Sequence, residues 1–197
     1  MIYIYRIILN IIIIFSPIII LIRLLKKKEH PFRFLEKFTL FSKERKKGRL
    51  IWFHAVSVGE LKSIIPLLRK LDKNRNITQI LVTSSTLSSA ELFKSLNIRK
   101  AVHQFFPIDG NFLTKRFLKY WSPNLAIFVD SEIWPNMLKN LKQKSIDRIL
   151  INARVSKKSY LKWKKLGSYS KNLFRSFNYC YPQNFESKKY LRKLGVQ

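Results

Sequence analysis

The sequence predicts an α/β protein in which a doubly wound, Rossmann-like parallel sheet carries helices on both faces and follows an apolar N-terminal helix. Short runs rich in β-branched and aromatic residues alternate with segments of helical periodicity, a pattern typical of parallel strands joined by helices. Polar residues follow successive strands, where such sheets bind their ligands. An uncharged segment at the N-terminus predicts the first helix.

The candidate elements alternate along the chain. Strands are expected at residues 50–54, 77–83, 101–106, 125–129, 148–151 and 177–181. Helices are expected at residues 60–71, 88–96, 112–120, 135–141, 156–174 and 185–194. About six strands therefore make up one domain over residues 49–197, and a basic, amphipathic connector over residues 26–48 precedes it.

Residues 1–25 are expected to anchor the protein in a membrane. Residues 7–22 carry no charge, and with their apolar flanks they reach about 20 residues, enough to cross a hydrocarbon layer of about 30 Å. A cleavable signal peptide is the alternative, but the segment has no small-residue cleavage site and continues into Lys26, Lys27 and Lys28. Because these lysines follow the segment, the positive-inside rule predicts a cytoplasmic domain. The sequence leaves open whether the anchor crosses the bilayer.

The composition is strongly basic. Among 197 residues, 39 are Lys or Arg and 11 are Asp or Glu, a formal net charge of +28. Such a charge is typical of proteins with an anionic partner, here a membrane surface or a phosphorylated substrate, although a codon bias towards Lys explains the excess equally well. Hydrophobic residues make up 47% of the chain, which excludes wholesale disorder. Lysines and aromatic residues interleave at residues 160–165, but the membrane anchor argues against nucleic acid as the partner.

The sequence gives no sign of a metal site or a nucleotide-binding loop. Cys180 is the single cysteine, and the three histidines are scattered without ligand spacing. One free cysteine suits a reducing cytosol. The motifs GxxxxGK[ST], GxGxxG and GxSxG do not occur, which argues against nucleotide-triphosphate motors, dinucleotide enzymes and nucleophile-elbow hydrolases.

Polar residues at the ends of five candidate strands are the candidate site residues. In chain order they are Ser57, Gly59 and Glu60; Thr83 and Ser84; Asp109; Asp130 and Glu132; and Asn152 and Arg154. Any one group is explained as a helix cap, because such side chains satisfy free backbone N–H groups at strand-to-helix junctions. Caps do not require two carboxylates two residues apart, so the whole set favours a ligand site.

Glu60 is the strongest candidate for a functional residue. It opens a helix just after Gly59, whose missing side chain lets a ligand approach the backbone. Glu60 is either a first-turn glutamate that stabilises the helix dipole or a carboxylate that takes a proton from an attacking hydroxyl. Asp130 and Glu132 reach one site only if the chain leaves strand geometry at the residue between them. Arg154 is either an anion ligand or an exposed arginine in a lysine-rich chain.

Four segments carry a more specific pattern. They are WFHAVSVGE at residues 52–60, FPID at 106–109, DSEIWPN at 130–136 and NARVS at 152–156. In order and spacing, over essentially the whole chain, they resemble the 3-deoxy-D-manno-octulosonic acid (Kdo) transferases of lipid A and lipopolysaccharide synthesis. The resemblance implies a GT-B architecture and an inverting transfer of Kdo from CMP-Kdo to a sugar hydroxyl of a lipid A precursor. It also implies work at the cytoplasmic face of the bacterial inner membrane, without a metal or a cofactor beyond the donor.

By the same resemblance, Glu60 matches the general base that deprotonates the acceptor hydroxyl, and Asp130 matches an acid associated with transition-state stabilisation. The other candidate residues are expected to bind substrate. The sequence departs from the family at Asp130, where the family has the longer glutamate, and at Leu87 and Ser89, where the family usually has Pro and Gly.

The family's donor site lies mainly on a second Rossmann-like domain, and this sequence stops before one. We therefore expect an acceptor half that does not catalyse alone and that works with a separate donor-binding domain. A non-catalytic membrane-bound module that binds an acidic lipid or a partner domain is the alternative.

Overall fold

Six parallel strands form the centre of the molecule. The computed structural model describes residues 2–196. The strands are β1 (Leu50–His54), β2 (Gln79–Ser84), β3 (Ala101–Phe105), β4 (Leu125–Val129), β5 (Asp147–Ala153) and β6 (Tyr179–Pro182). Their order across the sheet is β3-β2-β1-β4-β5-β6, and all neighbours pair in parallel. The Rossmann-like prediction is confirmed, with a reversal of strand order between β1 and β4.

Helices connect the strands and precede the sheet. They are α1 (Ile2–Leu25), α2 (Val58–Asp72), α3 (Leu87–Ser95), α4 (Asn111–Trp121), α5 (Pro135–Gln143), α6 (Lys157–Lys164), α7 (Ser168–Phe174) and α8 (Phe185–Lys193). The predicted apolar N-terminal helix is present as α1. The single helix predicted over residues 156–174 is wrong. Its two parts, α6 and α7, are separated at Gly167, whose φ of 55° and ψ of −130° cannot continue a right-handed helix.

The helices cover both faces of the sheet. On one face, α2 and α3 enclose a core that includes Phe53, Leu61 and Ile80. On the other, α4 and α5 enclose a core around Trp52 and Phe117, joined by residues of α7 and α8. Every residue of β1 is buried, because side chains that alternate along this central strand enter one core or the other. This explains why β1 reads as an almost continuous apolar run.

The connector packs against β3, the outer strand of the sheet. The Glu36 side chain in its 3₁₀ turn (Phe34–Phe38) accepts a hydrogen bond from the backbone N–H of Phe105 at 2.7 Å and forms an ion pair with Arg33. The Lys37 carbonyl accepts the N–H of Ile108. These contacts satisfy backbone groups that an open edge strand would expose, so the turn stabilises the sheet as well as linking it to α1.

We expect Glu36→Ala to destabilise the folded chain by about 3 kcal/mol, because the substitution leaves a buried N–H and a half-buried guanidinium without their partner. Glu36 is 1% exposed. Thermal unfolding of the detergent-solubilised chain, followed by circular dichroism, measures the loss. Glu44→Ala at an exposed position of the same connector is the matched control, expected within about 0.5 kcal/mol of the parent. Equal melting temperatures for the two variants would contradict the role of Glu36.

Candidate active site

The candidate site lies where the carboxyl ends of β1 and β4 meet. These two strands are neighbours at the centre of the sheet, yet the chain leaves them towards opposite edges. A crevice opens at such a point in a doubly wound sheet. Glu60 follows β1, and Asp130 and Glu132 follow β4. The topology therefore brings together three of the four carboxylates that the sequence singled out, while the fourth, Asp109, follows β3.

The Glu60 carboxylate is held at the start of α2. Ser57 is the N-cap residue of this helix, and its hydroxyl accepts a hydrogen bond from the Glu60 N–H. The Ser57 hydroxyl also donates to Glu60 Oε1 at 2.8 Å, and the backbone N–H of Val56 donates to Glu60 Oε2 at 2.7 Å. This is a capping-box arrangement, so Glu60 does act as a cap. Each carboxylate oxygen keeps a second lone pair that can accept a proton from a bound hydroxyl.

Burial raises the pKa of Glu60 above its ordinary value, and the nearby carboxylates of Glu132 and Asp130 raise it further. The hydrogen bonds from Ser57 and Val56 oppose this shift because they stabilise the ionised form. The net upward direction makes Glu60 a stronger base than an exposed glutamate, which is the direction that proton abstraction from a sugar hydroxyl requires.

Asp130 turns the chain out of the sheet. Its φ of 61° places it in the left-handed region directly after β4, so Asp130 and Glu132 are released from the strand alternation that would send them to opposite faces. Burial raises the pKa of Asp130, the guanidinium of Arg154 lowers it, and Glu132 raises it. Asp130 thus lies within electrostatic reach of Glu60, Glu132 and Arg154.

The end of β5 supplies Asn152 and Arg154. Asn152 also has a positive φ, 52°, and the pairing of β5 with β6 is irregular between Leu150 and Ala153, as at a β-bulge. Arg154 is exposed, and its backbone carbonyl accepts a hydrogen bond from the Ser131 hydroxyl, which ties the β5 end to the β4 end. The Arg154 guanidinium remains open to an anionic ligand.

Three predicted substrate-binding residues lie below the surface. Thr83 and Ser84 are fully buried and Asp109 is 1% exposed. The Ser84 hydroxyl contacts His103 Nε2 at 2.8 Å, away from the carboxylates. Each of the three side chains is engaged inside the protein, so the structure places them behind the crevice rather than open to a ligand.

A buried polar chain that sequence reasoning did not assign supports Glu132. Trp134 Nε1, which can only donate, lies 2.7 Å from Glu132 Oε2 and 3.1 Å from His54 Nε2. His54 Nε2 also lies 3.5 Å from Glu132 Oε2, and His54 Nδ1 lies 3.0 Å from the Thr83 hydroxyl. That hydroxyl also accepts from Trp52 Nε1 at 2.9 Å. In the sequence, the one indication of this hydrogen-bonded chain was the position of His54 at the end of β1, the strand that precedes Glu60.

Ser89, where the sequence departs from the family, packs against the loop between β1 and α2. It is fully buried, its hydroxyl donates to the Val56 carbonyl at 3.2 Å, and it contacts the Thr86 hydroxyl at 2.7 Å. Val56 is the residue whose N–H holds Glu60. The Ser89 hydroxyl therefore connects α3 to the loop between β1 and α2.

Asp109 caps α5 from a different part of the chain. Its carboxylate accepts the backbone N–H groups of Asn136 and Met137 at 2.9 and 2.8 Å, and the hydroxyl of Tyr5 at 2.7 Å. The residue in the N-cap position of α5, Trp134, makes no side-chain cap. Burial raises the pKa of Asp109 to about 6, although each of these hydrogen bonds lowers it.

Because the pKa of Asp109 is raised on folding, the folded state binds a proton between about pH 4 and pH 6 that the unfolded chain does not bind. The free energy of unfolding should therefore fall by about 3 kcal/mol as pH rises through this range. Asp109→Asn removes this contribution, so we expect a shallower fall for the variant in pH-dependent thermal unfolding. Asp147→Asn, at an exposed position, should keep the parent slope. Parallel curves for the parent and Asp109→Asn would contradict this account.

The sequence of this chain matches a protein family and several of its members. The family model described as 3-Deoxy-D-manno-octulosonic-acid transferase matches residues 32–197. The 3-deoxy-D-manno-octulosonic acid transferase of Rickettsia bellii is 38% identical over 180 residues, which cover 91% of this chain and 43% of the relative. The probable mitochondrial transferase of Arabidopsis thaliana is 39% identical over 72% of this chain and 32% of its own length. This chain spans less than half the length of these relatives.

Solved structures agree in fold. A UDP-N-acetylglucosamine 2-epimerase aligns with a TM-score of 0.56 at 12% identity, covering 77% of this chain and 46% of the other. The epimerase of Neisseria meningitidis bound to UDP-GlcNAc gives a TM-score of 0.54 over 75% of this chain and 44% of that one. At this identity the likeness confirms the α/β architecture alone. The family match rests on sequence, and by that match the chain belongs to the 3-deoxy-D-manno-octulosonic acid transferase family.

Proposed function

We propose that this chain is the acceptor-binding half of an inverting glycosyltransferase that moves Kdo from CMP-Kdo to a sugar hydroxyl of a lipid A precursor. The observation that carries the proposal is the position of Glu60: a carboxylate of raised pKa, fixed by two hydrogen bonds, at the switch point of the sheet. Family membership supplies the chemistry of the donor and acceptor.

In this reaction Glu60 takes the proton of the acceptor hydroxyl. The acceptor oxygen forms a bond to the anomeric carbon of Kdo while the bond from that carbon to the phosphate oxygen breaks, and CMP leaves with the bonding electrons. Val56 and Ser57 hold the carboxylate so that little reorganisation is needed when the proton moves. Since only ionised Glu60 accepts the proton, the rate should fall as pH drops through its raised pKa.

Asp130 and Arg154 supply opposite charges around the same crevice. We assign to the Asp130 carboxylate the stabilisation of the positive charge that develops on the sugar ring as CMP departs. The exposed guanidinium of Arg154 suits a phosphate or carboxylate of either substrate. With the half-buried Glu132 beside them, these groups form an acceptor site open to the donor-binding domain, which we assign to the additional length of the relatives.

The apolar α1 and the lysines at its end attach this domain to the cytoplasmic face of the bacterial inner membrane in our proposal. α1 has the length and composition to enter a bilayer, and Lys26, Lys27 and Lys28 follow it at exposed positions. Lipid A precursors carry phosphates, so the same cationic surface attracts both the anionic lipids and the acceptor.

A second candidate function is a non-catalytic membrane-bound module that holds an acidic lipid or a partner domain. One observation favours it: the hydrogen bonds of Glu60 within its capping box account for that residue without catalysis. The two functions differ in whether transfer depends on the charge of Glu60.

Glu60→Gln tests the base role directly. The glutamine amide preserves one acceptor for the Val56 N–H and gives the Ser57 hydroxyl a donor, so α2 should stay capped. With a donor domain from the Rickettsia bellii relative supplied, we expect transfer from CMP-Kdo to fall at least 100-fold with an unchanged melting temperature. Glu91→Gln, at an exposed position of α3, is the control. Near-parent turnover of Glu60→Gln would exclude the base role, and acceptor binding without turnover in every complex would favour the non-catalytic module.

Asp130→Glu tests the departure from the family. The added methylene restores the family's side-chain length, and a displacement of about 1 Å can change a rate by about 100-fold, so transfer in the same complex should rise towards that limit. Asp147→Glu at the exposed start of β5 should leave the rate unchanged. A lower rate for Asp130→Glu would show that this crevice has adapted to the shorter acid.

A further inference from the structure

One stripe of α1 is covered by the rest of the protein along the whole helix. Its less exposed positions recur every three or four residues: Ile2, Tyr5, Arg6, Leu9, Ile13, Ser16, Ile20, Arg23 and Leu24. This spacing marks one face of an α-helix. A helix of 24 residues is about 36 Å long, so α1 lies alongside the domain for its full length instead of projecting from it.

Polar contacts fasten the N-terminal end of α1 to the domain. Arg6 Nε donates to Asn136 Oδ1 at 2.9 Å, and Arg6 Nη2 donates to Asn111 Oδ1 at 2.7 Å. The Tyr5 hydroxyl donates to the Asp109 carboxylate. These partners lie at the first turns of α4 and α5 and in the loop between β3 and α4.

The other end of α1 is fastened to the connector, which itself contacts the same loop. Arg23 pairs with Glu29 at 2.6 Å, and Glu29 pairs with Lys37 at 2.6 Å. The Lys37 carbonyl accepts the N–H of Ile108. Midway along the helix, Ile13 packs so closely on Gly110 that a Cβ there would meet its Cδ1 at 2.5 Å. The N-terminal end and the middle of α1 thus contact residues 109–111 directly, and its C-terminal end is linked to Ile108 through the connector.

The opposite face of α1 is apolar and uncovered. It exposes large side chains from one end of the helix to the other, including Ile4, Ile11, Ile18 and Leu25 at 58, 50, 58 and 77%. An apolar surface of this extent marks contact with a partner or with lipid. Exposed lysines at residues 26–28 follow the helix, which fits an anionic lipid surface rather than another apolar protein face.

We propose that α1 lies in the plane of the membrane, with one stripe against the domain and the opposite face in the acyl chains of a single anionic leaflet, and does not cross the bilayer. A crossing helix would drag the polar loop and the helix ends that it contacts into hydrocarbon, where charged and unpaired polar groups are costly. An in-plane helix leaves those contacts at the head-group level. The inference rests on the membrane attachment proposed above and not on the transfer reaction.

Phe112 independently indicates that this side of the protein faces the membrane surface. It is 72% exposed, directly after the Asn111 that holds Arg6. Lys115, Arg116 and Lys119 are exposed further along α4. An aromatic side chain beside cations is typical of a membrane interface. Because residues 108–111 follow the carboxyl end of β3, the leaflet then lies beside the edge of the sheet that carries Glu60, and a lipid acceptor reaches the crevice without leaving the membrane.

Fluorescence quenching by lipids that carry nitroxides at defined depths tests the geometry. The full chain, with Cys180→Ala, receives one cysteine at a time at residues 4, 11, 18, 25 and 112 for labelling with an environment-sensitive dye. The vesicles contain phosphatidylglycerol and phosphatidylethanolamine. Lys70→Cys at an exposed position of α2, on the opposite face of the sheet from α4 and α5, is the control and should not be quenched.

We expect the four α1 positions to lie at one depth within about 5 Å, because all share the exposed face, and residue 112 to be quenched at a shallower depth. In a crossing helix, residues seven apart differ by about 10 Å along the normal. Shallow quenching at residues 4 and 25 with deep quenching at 11 and 18 would therefore overturn the proposal. Absence of quenching at every position would overturn both the in-plane geometry and the membrane attachment. Loss of transfer in Glu60→Gln bears on neither.

Discussion

The parallel pairing of β1 with β4 is the constraint on which the candidate site depends. The register aligns His54 with Phe128 at the carboxyl ends of the two strands, and the chain leaves them in opposite directions. The residues that follow each strand therefore face each other across a crevice, although about 70 residues separate Glu60 from Asp130 in the chain. Burial of β1 on both faces fixes that pairing, since neither Trp52 nor Phe53 can leave its core without exposing a large aromatic surface.

The surroundings of Glu60 both hold its side chain in place and change its pKa. The hydrogen bonds that cap α2 hold Glu60 in place, while burial beside two other carboxylates raises its pKa. Behind them, His54 joins the Thr83 hydroxyl to the indole of Trp134. A buried polar chain of this kind orients its members when its polar atoms have partners, and both ring nitrogens of His54 have one.

Asp109 links the apolar helix to the site. Its carboxylate receives both the first backbone N–H groups of α5 and the hydroxyl of Tyr5 on α1. The segment immediately before α5 carries Asp130, Glu132 and Trp134. The seating of α1 on the domain is therefore coupled, through one buried carboxylate, to the helix that follows the acidic segment.

The sequence by itself determined the strands, most of the helices and the family, because these depend on local periodicity and on short motifs. It also marked Glu60, Asp130 and Arg154 as polar residues at strand ends. Only the tertiary structure decided which of those residues face the crevice. Thr83 lies at a strand end like the others, but its hydroxyl is hydrogen-bonded to side chains of β1 and does not reach the crevice. Hydrogen bonds between strands that are distant in the sequence cannot be read from the order of residues. The covered stripe of α1 could not be predicted for the same reason. Hydropathy shows how apolar a helix is, but the contacts that place α1 along the domain come from residues more than 90 positions away.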